Sequence, residues 1–90
     1  MEQLILQETI ARIQQMEQIF DTLQAAVQKN PYALREDSAY APILDELIRY
    51  YENGQWLRDY ESDEQGMLPV DLKRGVLSQD AIFDLLTDIK

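Results

Sequence analysis

Carboxylates are the residues best suited to chemistry in this chain, and their densest run is Asp59, Glu61, Asp63 and Glu64. Alternating acids of this kind open an EF-hand loop, in which oxygen ligands at fixed steps wrap a calcium ion. Such a loop needs glycine at its sixth position for a sharp turn, and a bidentate glutamate at its twelfth. Counted from Asp59, those places hold Glu64 and Val70. The run therefore reads as a solvated acidic helix end or a partner-binding patch, and no metal is expected there.

A carboxylate pair can also perform acid–base catalysis, but only in a pocket that sets two pKa values apart. A chain of 90 residues offers little wall material for one. Histidine and cysteine are both absent, which removes the commonest general base, the commonest transition-metal ligand and the thiolate nucleophile together. Ser78 has no histidine to activate it and precedes Gln79-Asp80-Ala81-Ile82, the place of a helix N-cap. The chain reads as a non-enzyme without a cofactor.

The remaining candidates are binding features. Trp56 with Tyr50, Tyr51 and Tyr60 could form an aromatic surface, although aromatics at helical spacing more often pack a core. Lys73-Arg74 is the only adjacent basic pair, and in so acidic a chain it is expected to meet Asp59, Asp63, Glu64 or Asp71. Gly75 beside it leaves an anion site as the alternative, because a backbone can approach closely there. Asp80, Asp84 and Asp88 stand at i, i+4, i+8, where like charges repel and Asp88 also opposes the helix dipole. A stripe that costs stability invites a basic partner.

The elements that must position these residues are helices. From Leu6 to Val27 the apolar residues fall on a seven-residue grid, with Leu6, Ile13, Phe20 and Val27 on one row and Thr9, Met16 and Leu23 on the other. Ile5, Ile10 and Ile19 widen the stripe toward a face that touches several neighbours, while Gln7, Gln14, Gln15, Gln18 and Gln28 solvate the opposite side. Asn30-Pro31 ends this helix after about 26 residues, or about 40 Å. A polar linker, Pro31 to Asp37, leads to a second helix that Ser38 caps and Pro42 opens. Its buried face is Tyr40, Ile43, Leu44, Leu47, Tyr50 and Tyr51, and Asp45 with Arg49 forms an i,i+4 pair. Asn53-Gly54 breaks the run, and a short connector helix carrying Trp56, Leu57 and Tyr60 closes near Gly66. Met67 to Leu77 reads as irregular, with a helical turn after Pro69. A last helix, capped by Ser78, then buries Ile82, Leu85, Leu86 and Ile89.

Composition bounds what this assembly does. Seventeen acids against eight bases give a net charge of −9, which repels a phosphate backbone or anionic lipid and favours basic partners. Direct binding to nucleic acid or membrane is not expected. The hydrophobic fraction of 46% with 28% charged residues exceeds the sparse-apolar composition of disordered chains, so one folded domain over residues 1–90 is expected. The opening MEQLILQETI has neither a basic leader nor a signal-like apolar run, and nothing approaches the ~20 apolar residues of a membrane span. A soluble, cytoplasmic protein is the expectation.

The stretch WLRDYESDEQGMLPVDLKRGVLSQDAIFDLL, Trp56 to Leu86, resembles the signature of a family of small bacterial proteins known as a domain of unknown function, numbered four-two-nine-eight. The segment RIQQMEQIFDTL, Arg12 to Leu23, is similar to that family's N-terminal half. The family pattern falls on Trp56, Asp59, Tyr60, Asp63, Gly66, Pro69 and the run Asp71 to Ser78. The resemblance implies an all-helical fold in a bacterial cytoplasm; it implies no reaction, cofactor or partner. A hydrogen-bonded connector and a binding site remain equal readings of that segment.

The expected architecture is all-α: an antiparallel hairpin of a long first helix and a shorter second one, with the connector helix and the C-terminal helix packed against it. The expected function is protein–protein interaction or assembly, with a carboxylate-based enzyme or metal binder and an acidic nucleic-acid mimic as the alternatives. The candidate interaction surface is Trp56, Asp59, Tyr60, Asp63, Glu64, Asp71, Lys73, Arg74, Asp80, Asp84 and Asp88. A homodimer through helix 1 is also expected, because the second helix is too short to cover Ile5, Leu6, Ile10 and Ile13, and each such side chain left in water forgoes roughly 1.5–3 kcal/mol.

Overall fold

The computed structural model describes residues 2–87, and their side chains from Leu6 onward. The described residues form five α-helices: α1 (Glu2–Lys29), α2 (Ala33–Glu36), α3 (Ala41–Glu52), α4 (Gln55–Glu64) and α5 (Gln79–Thr87), with single 3-10 turns at Ser38–Tyr40 and Gly75–Leu77. No strand occurs among the described residues. The expected antiparallel hairpin of α1 and the shorter α3 is present. At about 1.5 Å per residue α1 is about 42 Å long, which matches the 43 Å long axis of the molecule.

The inner face of α1 supplies six of the seventeen buried apolar residues of the core. Ile13, Met16, Ile19, Phe20, Leu23 and Ala26 are buried against Leu47 and Tyr50 of α3, Trp56 of α4, Val76 and Leu77 of the second 3-10 turn, and Ile82 and Leu85 of α5. The glutamines expected on the far side are exposed. α2, α3 and the Gly75–Leu77 turn all pack on α1, α4 packs on α3, and α5 docks on the Gly75–Leu77 turn.

The segment expected to be a polar linker contains α2, whose Ala33 and Leu34 are buried. Asn30 starts this extra turn: its side chain accepts from the Tyr32 N–H and its carbonyl from that of Ala33. A four-residue helix is too short to leave a periodic signal. The cap ahead of α3 is Asp37 rather than Ser38, since the Asp37 carboxylate accepts the Ala39 N–H at 3.0 Å. At the end of α4 the chain closes as expected on Gly66, whose φ of 73° is left-handed. The Gly66 N–H donates to the Asp63 carbonyl and the Met67 N–H to that of Ser62, the paired bonds of a Schellman motif. Ser78 caps α5 through the Ala81 N–H at 3.4 Å. The helical turn expected after Pro69 lies instead at Gly75–Leu77; at Pro69 there is a tight turn closed by the Leu72 N–H.

Ile13, expected at a dimer face, has no exposed surface in the single chain. α2, α3 and the Gly75–Leu77 turn all pack on α1, and Ile13 lies in the core that they help to enclose. Leu6 and Ile10 are half-buried against the core, and the side chain of Ile5 lies outside the described residues. Ile13→Ala should therefore cost about 2–5 kcal/mol, the range for a truncated core isoleucine. Urea unfolding at several protein concentrations checks this, and a loss that grows on dilution would place Ile13 between chains.

Candidate functional site

Two polar ties join the segment Trp56–Ser78 to the hairpin, and a third holds the segment to itself. The first centres on Asp59 of α4, which is only 1% exposed. Arg12 of α1 grips it with two donors, Nε to Oδ2 at 3.0 Å and Nη2 to Oδ1 at 2.6 Å. The Tyr50 hydroxyl of α3 donates to the same Oδ2 at 2.7 Å. One carboxylate thus links three helices, and its charge is compensated where it is buried. Hydrogen bonding to Asp59 raises the Arg12 guanidinium above its ordinary value, against the opposing effect of its partial burial. Burial, and then the bond to Asp59, push the Tyr50 phenol well above its own.

The second tie is Glu17. It lies on the buried face of α1, 6% exposed, and accepts the Gly75 N–H at 2.6 Å and the Val76 N–H at 3.0 Å. These are amides at the start of the 3-10 turn that have no partner within it, so Glu17 acts as its cap from another helix. A Cβ on residue 75 would stand 2.8 Å from Glu17 Oε1, so any other residue there would push the carboxylate out of this position. The Trp56 indole completes the tie by donating to the Val76 carbonyl at 2.9 Å. Its ring stacks on Tyr60, with centroids 5.2 Å apart, and meets the edge of Tyr51 at 5.1 Å.

The third tie is Arg74. Its guanidinium pairs with Asp63 and donates to the Pro69 carbonyl, while its Nε donates to the Leu72 carbonyl at 3.2 Å. The expected internal ion pair is thus Arg74 with Asp63. Asp59 turns to Arg12 instead, since it faces the hairpin rather than the loop. Lys73 is exposed and makes no ion pair among the described residues.

Of the other candidate residues, Tyr60 is half-buried beside Trp56, and Glu64, Asp71, Asp80 and Asp84 are exposed. Asp88 lies outside the described residues. Asp71, Leu72 and Lys73 form one bank of an open groove of about 630 Å³, facing Gln14, Gln15, Gln18 and Asp21 along α1, with Glu17 also in its lining. The acids do not converge: among the described residues no group of three or more is placed to hold a metal ion. The anion alternative at Gly75 is closed, because Glu17 already fills it.

Residues 13–90 match the model of a family described as a domain of unknown function, DUF4298. The chain belongs to this family. No curated protein and no solved structure is found to match it. The DUF4298 match takes in Glu17, Trp56, Asp59, Asp63 and Arg74; Arg12 falls one residue before it.

Sequence reasoning missed Arg12, Glu17 and the Tyr50 hydroxyl as partners. A signal for Glu17 does exist: it stands four residues after Ile13 and three before Phe20, inside the apolar stripe, where an acid needs a buried partner. Nothing in the spacing names that partner, which is 58 residues away.

Three expectations follow from these ties. Glu17→Gln replaces one acceptor with an amide donor facing an N–H, and should cost about 1–3 kcal/mol in urea unfolding. Gly75→Ala should destabilise the chain alone and much less in a Glu17→Ala background, since both act on one contact. The raised Tyr50 phenol gives a pH expectation. Its contribution to stability is complete below the unfolded tyrosine value of about 10 and is lost as pH rises through the higher folded value. In a spectrophotometric titration one of the five tyrosines should ionise only as the fold opens, and Tyr50→Phe should remove that late step.

Proposed function

We infer that this chain is a protein–protein interaction module that recognises a basic partner by its surface and performs no reaction. What carries the reading is the fate of its polar groups. The buried carboxylates Asp59 and Glu17 are both engaged by internal donors, and among the described residues no buried side-chain nitrogen or oxygen lacks a partner. An acid or base catalyst needs a group with a free lone pair or proton in a pocket, and these two acids have spent theirs on the fold. What remains for function is the surface.

That surface is acidic, with a net charge of −9, and it carries apolar side chains that the core does not need. On α5, Phe83 is 58% exposed between the exposed Asp80 and Asp84. An aromatic flanked by carboxylates suits a partner that offers apolar side chains among lysines and arginines. A cytoplasmic setting accords with a chain that lacks cysteine, and no described helix is long and apolar enough to cross a membrane.

Affinity capture on the immobilised chain tests the reading. Proteins retained at low salt should be rich in lysine and arginine, elute as salt rises, and bind less to an Asp80→Asn/Asp84→Asn variant. Displacement of the captured protein by DNA would favour the acidic nucleic-acid mimic. Calcium, magnesium and manganese at sub-millimolar concentration should leave the melting temperature unchanged, and a rise of several degrees would favour the metal binder instead.

Self-association through helix 1 is a second reading, resting on the incomplete burial of Leu6 and Ile10. Sedimentation equilibrium should then show the average mass rising above 10.5 kDa with concentration, and Ile10→Asp should flatten the rise. A constant 10.5 kDa removes this reading.

A further inference from the structure

The loop between α4 and the Gly75–Leu77 turn has two sides. Leu68 and Leu72 point inward and are 7% and 9% exposed, while Met67 is 52% and Val70 98% exposed. Val70 occupies a corner of the tight turn closed by the Leu72 N–H on the Pro69 carbonyl. Such corners are normally filled by polar or turn-forming residues, and a β-branched apolar side chain gains nothing there by folding. The inward leucines explain why the loop is anchored; nothing in the fold explains Val70.

The loop is also held in place. Gly66 and Met67 are fixed by the two bonds that close α4, Pro69 restricts its own backbone, and Arg74 binds the Pro69 and Leu72 carbonyls while pairing with Asp63. Val70 and Met67 are thus displayed on a pre-ordered loop, so a partner meets a surface whose ordering cost is already met. The charges nearby in the chain set the kind of partner. Asp63 and Arg74 neutralise each other, while Glu61, Glu64 and Asp71 are exposed and make no ion pair among the described residues, against the exposed Arg58 and Lys73.

We propose that this loop tip is a docking site for a basic, apolar-containing segment of another protein, whose apolar side chains cover Val70 and Met67 and whose lysines or arginines meet Glu64 and Asp71. The assignment rests on the interaction reading above and adds to it a contact apart from the α5 face.

The test uses the full chain as target for a displayed random-peptide library. Enriched peptides should combine lysine or arginine with apolar residues, weaken as salt rises, and bind Val70→Ser at least about tenfold more weakly, the loss expected of a central contact. Glu64→Gln/Asp71→Asn should also weaken them. Val70→Ser should keep the wild-type melting temperature, because the side chain it trims is in water. The proposal is overturned if no peptide is enriched, if the enriched peptides bind Val70→Ser as well as wild type, or if Val70→Ser lowers the melting temperature by several degrees. Peptides that ignore Val70→Ser but are lost with Asp80→Asn/Asp84→Asn would overturn the location while leaving the interaction reading standing. Self-association of the wild-type chain that Val70→Ser abolishes would make a second copy the occupant and overturn the proposal as well.

Discussion

The contact on which the rest of this structure depends is the Glu17 carboxylate held against the Gly75 and Val76 amides. It solves two problems of burial together. A glutamate on the apolar face of α1 needs donors, and a short 3-10 turn brought into a core exposes amides that have no partner of their own. Each is costly alone, and together they are satisfied. Because α5 docks on that turn and Val76 accepts from Trp56, this carboxylate helps to seat the turn and, through it, α5.

The Asp59 tie works in the same way with the signs arranged differently. Asp59 supplies the buried anion, and Arg12 and Tyr50 bring their donors to it from separate helices. Both ties run back to α1, so the long helix serves as a common spine carrying one cation and one anion on its inner side. A core of this size has few apolar contacts to choose among, and charge-assisted bonds with strict geometry restrict how the short helices can sit on the spine. The buried acids Asp59 and Glu17 are thus both used to hold the fold.

Much of the secondary structure was legible because its signals are local. The grid from Leu6 to Val27, the breaks at Asn30-Pro31 and Asn53-Gly54, the closing Gly66 and the capping Ser78 each act within a few residues, and all appear where the sequence placed them. α2 escaped because one turn is too short for a period to emerge. The ties escaped for a different reason. Arg12 and Asp59 are 47 residues apart, and Glu17 and Gly75 are 58 apart, so each charge is visible in the sequence while its partner is not. Asp59 was counted with the surface acids, although its place three residues after Trp56 puts it on the same inward face. The burial of Ile13 is not legible either, because the 3-10 turn that packs on α1 leaves no periodic signal and its Glu17 partner is distant in the chain.

The distance along the chain between Glu17 and its amides also bears on how the molecule is made. During synthesis α1 emerges first and can coil early, since its backbone bonds are local. Its inner face then carries an acid without donors and a row of bare isoleucines and leucines until residues 75 and 76 arrive. Closure of such distant contacts is the slow part of folding, and a chain waiting for them exposes apolar surface to its neighbours. The interval between the emergence of α1 and that of the Gly75–Leu77 turn is therefore the period in which a nascent chain is most open to association with the wrong partner.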